Sequence, residues 1–189
     1  MSVVTVVDWP AAGQPFTVAD LDRLPDDGRR YELLDGGLVV SPRPTTLHRY
    51  VAFRLARVLD DACPVDYCVV PEPAVELGPQ TEFDPDLVVI TTDQVQGAKL
   101  IEPPLLVVEV RSSSTALVDL NRKKDAYARF GVPSYWIVDP EPAGPAFTIF
   151  ELQDGKYVLE AKTTGPFTAR RPFPVSIVPA SLTSRLHRE

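Results

Sequence analysis

The segment FDPDLVVI, residues 83–90, sets Asp84 and Asp86 on either side of Pro85 and then runs into an apolar stretch. Further along, LLVVEV carries a single acid, Glu109, in an otherwise apolar run. An ionised glutamate at a buried strand position is costly unless a cation neutralises it. Pro85 cannot donate to a strand ladder, so it fits the entry to a strand and fixes the backbone where Asp86 joins the sheet. A carboxylate at such a lip is expected to be held without being buried. Two carboxylates on adjacent strands suit a hard divalent cation: Mg²⁺ takes a few carboxylate oxygens and keeps several waters, which leaves positions for phosphate. The structural alternative is that Asp86 caps a turn and Glu109 pairs with a basic neighbour such as Arg111. A third group comes from NRKKD, residues 121–125. A short loop and about two helical turns separate Glu109 from Lys123 and Lys124, so a helix folding back across the sheet brings one lysine to Glu109. Beside a carboxylate-bound metal, a lysine orients or helps deprotonate the attacking water and offsets charge developing on a phosphate. Lys123, four residues before Tyr127, is expected to face inward, and Lys124, about 100° round the helix, to face away.

The elements that must position these groups are legible in the periodicity. FTVADLDRLPDDG reads as a short helix opened by Thr17 and stopped at Pro25. RRYELLDGGLVVSP reads as a hairpin, with apolar segments on either side of DGG. Over residues 45–62 the apolar positions Leu47, Val51, Leu55, Val58, Leu59 and Ala62 recur at steps of three and four, the pattern of an amphipathic helix. The period then shortens: YCVV, AVEL, DLVVI and PLLVVEV are strands of a largely covered sheet. A helix over residues 115–130, stopped by Gly131, leads to the strand PSYWIVD, so the strands at 105–110 and 135–138 form a βαβ unit and run parallel. A second hairpin turns about QDGK, and SIVPASL closes the chain. The class is α/β with a mixed β-sheet.

Composition bounds the function. A chain of 189 residues with 44% hydrophobic content supports one core, so one domain over residues 1–189 is expected, with residues 1–15 as an N-terminal extension. Nineteen basic residues against 26 acidic ones give a formal charge of −7, which argues against bulk electrostatic affinity for a polyanion; any nucleic-acid contact must be local. Cys63 and Cys68 lack the partners of a zinc site and read as free thiols. The start MSVVTVVDWPAAG has no basic leader region and no run reaches membrane length, so the protein is expected to be soluble and cytoplasmic.

The pieces YELLDG, FDPDLVVI, VVEVRSSST and DLNRKKDAYARFGVPSYWIVDP, in this order and at this spacing, resemble the Uma-two family of restriction endonucleases, a branch of the PD-(D/E)xK nuclease superfamily. The resemblance runs from residue 31 onward and implies the restriction-endonuclease-like fold, a mixed β-sheet flanked by helices, with β-hairpins. It implies Mg²⁺-dependent hydrolysis of DNA phosphodiester bonds, with Mn²⁺ as a substitute, Asp86 and Glu109 as metal ligands, and Lys123 as a catalytic lysine moved from strand to helix. The superfamily's commoner lysine position, two residues after the glutamate, holds Arg111 here, whose guanidinium binds phosphate but is a poor proton acceptor. Glu32 in YELLDG matches an acid near the family's site, a candidate catalytic or outer-shell group that could equally pair with Arg29 or Arg30. His48, in the first turn of the long helix, matches a histidine placed to touch phosphate. Two positions depart from the family pattern: Gly37 stands where a second glutamate is usual, and Ser113 where a proline is usual. Cutting both strands of a two-fold duplex suits a homodimer. The competing class is a catalytically inactive member that binds nucleic acid or a protein partner and keeps the acids as remnants. A glycosidase-like carboxylate pair would not need the lysine and would want aromatic sugar platforms.

Overall fold

The computed structural model describes residues 13–111 and 117–187, and of residues 117–120 and 187 the backbone alone. The short helix α1 (Val18–Leu21) begins at Thr17, whose side chain and that of Asp20 satisfy each other's backbone N–H groups in a capping box. Strands β1 (Arg30–Leu34) and β2 (Gly37–Ser41) pair antiparallel about Asp35 and Gly36, which turn at φ 48° and 79°, as a two-residue hairpin loop requires. Helix α2 (Thr46–Ala62) is capped by the Thr45 hydroxyl, which accepts the His48 N–H at 3.2 Å, and it buries Val51, Leu55 and Leu59. Strands β3 (Tyr67–Pro71), β4 (Val75–Gly78), β5 (Thr81–Phe83), β6 (Leu87–Thr91) and β7 (Leu106–Val110) follow. Helix α3 (Leu117–Phe130) stops at Gly131, whose φ of 92° is open to glycine, and leads to β8 (Ser134–Asp139). The chain ends with β9 (Ala146–Gln153), β10 (Lys156–Thr163), β11 (Phe167–Ala169), β12 (Val175–Ile177) and α4 (Pro179–Thr183).

Six strands form the main sheet in the order β10-β9-β8-β7-β6-β3. Only β7 and β8, joined through α3, are parallel; the other neighbours are antiparallel, so the sheet is mixed, as expected. The two faces have different covers. Leu87, Val89, Leu106 and Val108 pack with the α2 stripe, while Val88, Ile90, Val107 and Tyr135 pack with Ala126 and Tyr127 of α3 and with Leu34, Val75 and Phe83. Those last three belong to a second sheet, ordered β2-β1-β5-β4. This smaller sheet corrects the expectation that AVEL lies in one sheet with YCVV, DLVVI and PLLVVEV: AVEL supplies β4, which β5 joins to the β1–β2 hairpin. Its linking strand, β5, is three residues long and reads Thr-Glu-Phe, too short and too polar to show a strand period. Cys63 and Cys68 are free thiols, and among the described residues no helix is long and apolar enough to cross a membrane. Residues 1–12 and Ser113 lie outside the described residues.

Candidate active site

Strand register brings the acids together. Leu87 of β6 pairs with Val108 of β7, so one step further Asp86 lies opposite Glu109, and the period of two puts both on the face that α3 and the smaller sheet cover. Glu32 enters from β1 in that smaller sheet, where its Oε1 accepts the Asp84 N–H at 3.0 Å. Lys123 closes the group: its Nζ lies 2.7 Å from Glu32 Oε1, 3.3 Å from Glu109 Oε1 and 5.1 Å from the centre of the Phe83 ring. Lys124 points elsewhere, onto the ring of Phe150 at 4.8 Å. The four residues Asp86, Glu109, Lys123 and Glu32 therefore converge, with Lys123 inward.

Asp86 corrects the expectation of an exposed lip, because the residue is only 2% exposed. Both of its oxygens are engaged: Oδ1 accepts from Arg30 at 3.1 Å, and Oδ2 accepts from the Val110 N–H at 2.7 Å and faces His48 Nε2 at 3.2 Å. A carboxylate with this many donors tolerates burial. The same contacts revise three other expectations. His48 is itself buried and turned to Asp86. Glu32 pairs with Lys123 and not with Arg29 or Arg30, and Arg111 pairs with Asp139 at 2.7 Å and not with Glu109.

Each acid sits in a different electrostatic balance. Burial raises Asp86, but the His48 hydrogen bond and charge, Arg30 and the Val110 N–H outweigh it and hold the carboxyl below its ordinary value. Glu109 is pushed up to about 7: burial, Asp86 and Glu32 together exceed the opposing pull of Lys123 and Arg30. Asp84 is pushed up to about 6, first by burial and then by Glu32. Burial works against the charge of Lys123, yet Glu109 and Glu32 hold its ammonium protonated with a raised pKa. The Lys123–Glu109 pair thus reads in opposite senses from its two ends, because one ammonium is shared among several carboxylates.

A divalent cation is what the family resemblance implies, and the donor set fits one. Four carboxylates, Glu32, Asp84, Asp86 and Glu109, feel one another and stand against two cations, Lys123 and Arg30. Hard oxygen donors with excess negative charge are what Mg²⁺ or Mn²⁺ selects. Among the described residues no group of three or more His, Cys, Asp or Glu side chains is placed to hold a metal ion. An open site in which two carboxylates hold the ion and water or phosphate supplies the other oxygens does not need one.

A family model described as "Putative restriction endonuclease" and named Uma2 matches residues 18–178. The chain belongs to the Uma2 family. No curated protein matches it. Among solved structures it is similar to a crystal structure of a "putative nuclease belonging to DUF820" from Anabaena variabilis ATCC 29413, with a TM-score of 0.70 at 16% identity, covering 93% of this chain and 95% of that one. That likeness shows a shared fold.

Two parts of this Uma2 site were not singled out in the sequence. Arg30 stands two residues before Glu32, on the same strand face, and that period was the available signal. Tyr127 donates its hydroxyl to Glu109 Oε1 at 3.0 Å, and lies one helical turn after Lys123. Gly37, the first residue of β2, pairs with Leu34 at the turn end of the hairpin and is exposed, whereas Glu32 and Arg30 pair further along β2 with Val39 and Ser41. A cleft of about 320 Å³ opens beside the acids, lined by Arg29, Arg30, Arg43, Arg49, Glu72 and Asp84. Arg43 is fixed there, its Nε donating to the Gly28 carbonyl at 2.8 Å. Gly28 has φ 81°, and a Cβ at that position would collide with the Arg43 guanidinium.

Proposed function

We propose that this Uma2 protein is a divalent-cation-dependent nuclease that hydrolyses phosphodiester bonds, with DNA as its substrate. The observation that carries the reading is the placement of buried Asp86, Glu109, Glu32 and Lys123 beside an arginine-lined cleft. In a protein of formal charge −7, four arginines around one cleft supply the local contact with a polyanion that the overall charge denies. Asp86 and Glu109 would hold Mg²⁺ or Mn²⁺, which when bound polarises the phosphoryl oxygen and lowers the pKa of its water.

The chain's own residues supply the rest. Arg30 and His48 hold Asp86 ionised and oriented. Lys123, kept protonated by Glu32 and Glu109, is a fixed positive charge for the developing phosphorane and not a proton acceptor. Glu32 orients that ammonium and ties it to the Asp84 backbone. A homodimer is part of the reading where a duplex is cut on both strands.

The second reading, a catalytically silent nucleic-acid binder, is favoured by one observation: Asp86, Glu32 and Glu109 already have protein partners, so the cluster can persist without metal. Incubating the full chain with single- and double-stranded DNA and RNA in Mg²⁺ or Mn²⁺ separates the two. Cleavage that disappears with EDTA and in Asp86→Asn supports the nuclease. Cleavage indifferent to both refutes the assigned site, and binding with no cleavage under any of these conditions selects the silent binder.

A further inference from the structure

Arg49 and Glu72 of the arginine cleft also line a second, smaller cleft of about 180 Å³. Its walls are apolar, Ala52, Phe53, Ala56, Pro71 and Leu87, and it reaches His48 and Asp86. Phe53 is 59% exposed, a large aromatic surface left in water at the edge of the site. It lies four residues after Arg49 on α2, so the guanidinium and the ring project from the same helix face. The two clefts share Arg49 and Glu72 and meet the acid cluster from two sides, one at Asp84 and the other at Asp86.

Backbone and base are the two halves of a nucleotide, and the two clefts have the matching chemistries. We infer that the apolar cleft receives an unstacked nucleobase against Phe53 while Arg49 and its neighbours hold the adjoining phosphate, so that the substrate is single-stranded or locally opened nucleic acid. The inference rests on the proposed nuclease reading for the placement of the phosphate, and deepens it by naming the substrate class. The size of the cleft agrees: it falls below the roughly 300–1,000 Å³ of sites that engulf a whole drug-sized ligand, and suits one planar ring system and not a stacked base pair. In a duplex the base must first be unpaired and unstacked, whereas a single strand offers it freely. Stacking on an aromatic face is tolerant of sequence, because every base has a π-face.

The test is binding of the full chain to a fluorescein-labelled single-stranded DNA oligonucleotide, its duplex, and an abasic strand of the same length, measured by anisotropy at one salt concentration, in EDTA and again in Ca²⁺. The expected result is tighter binding to the single strand than to either of the others. Phe53→Ala should weaken single-strand binding by about fivefold to a hundredfold, the loss seen when a stacking aromatic is removed, and leave the abasic strand unaffected. Phe53→Trp should retain binding and lose indole emission on adding the single strand. Equal affinity for single strand and abasic strand, no effect of Phe53→Ala, or no binding in either buffer overturns the inference. So does a loss of dimer on Phe53→Ala with oligonucleotide affinity unchanged, which would assign the cleft to a second copy of the chain. Cleavage that is indifferent to Phe53 sinks the base pocket alone; Phe53-dependent binding without cleavage in Mg²⁺ or Mn²⁺ sinks the nuclease and leaves the pocket standing.

Discussion

Replacing Lys123 with methionine keeps the aliphatic stem and deletes the ammonium. The residue is only 5% exposed, so solvent screens little of the charge that is left behind. Glu32 and Glu109 lose partners at 2.7 and 3.3 Å and keep Arg30 as the nearest remaining cation of the cluster. Stranding a buried charge by removing its partner costs about 3–5 kcal/mol. For a chain of this size each kcal/mol lowers Tm by about 2–4 °C, so Lys123→Met should melt about 6–20 °C lower at pH 8. The pH dependence has a definite sign. Glu109 titrates at about 7 in the folded protein against an ordinary 4.5, so between those values the folded state binds more protons than the unfolded state, and the stability linked to this group falls as pH rises. Removing Lys123 raises the folded value further. Below about pH 6 Glu109 is already neutral, so the variant should lose less there than at pH 8. Thermal melts from pH 5.5 to 8 read this directly. A loss under about 2 °C throughout, or one that grows toward acid pH, would refute Lys123 as the charge that makes the acid cluster tolerable. Where a divalent cation fills the same electrostatic deficit, Mg²⁺ should raise the Tm of the variant more than that of the unaltered protein.

Asp86→Asn keeps the shape of the side chain and removes the charge, and should abolish the Mg²⁺- or Mn²⁺-dependent rise in Tm; a rise of unchanged size would exclude Asp86 as a ligand. Tyr127→Phe removes the hydroxyl donor to Glu109 and should cost about 1–3 kcal/mol by urea denaturation, more at pH 8 than at pH 6 because the lost bond favours the ionised carboxylate; equal losses would mean that the hydroxyl does not sense that charge. Gly28→Ala should cost about 1–2 kcal/mol for its positive φ and, by displacing the Arg43 guanidinium, should lower oligonucleotide affinity, as should Arg43→Ala. Each should flatten the slope of log affinity against log salt by about 0.7–0.9, the share of one phosphate contact.

Much of the fold was legible because its signals are local. Asp35-Gly36 and Asp154-Gly155 mark hairpin turns with positive φ at both residues, and the α2 stripe at Val51, Leu55 and Leu59 is buried as its spacing required. The convergence of Asp86, Glu109 and Lys123 was readable because two adjacent apolar runs and one helix bring them together, and each run carries its acid at a fixed offset. What was not readable depends on pairing between distant segments. Asp86 is buried because Arg30 reaches it from β1 and His48 from α2, and nothing within FDPDLVVI announces either donor. The smaller sheet depends on β5, whose three residues carry no period, and its link to β1 is the single pair Leu33↔Glu82.

That second sheet explains why the cluster can be so acidic and still form. Glu32 and Arg30 come from the smaller sheet, Asp86 and Glu109 from the main one, and Lys123 and Tyr127 from the helix packed on the same face. The acids of each sheet find their cations on other elements, so the cluster assembles only when both sheets, α2 and α3 are in place. The balance is nonetheless incomplete: burial first, and neighbouring acids after it, raise Glu109 to about 7 and Asp84 to about 6 against the pull of Lys123 and Arg30. On the proposed reading a bare phosphate approaching the site would be repelled by the acids, and a divalent cation held there would offset them, so each would improve the site for the other. By linkage the factor by which nucleic acid strengthens cation binding must equal the factor by which the cation strengthens nucleic-acid binding. On the proposed reading the arginine cleft would recruit the strand, while the acid excess would make productive engagement conditional on the cation, so that a protein of net negative charge would act on a polyanion at one place only.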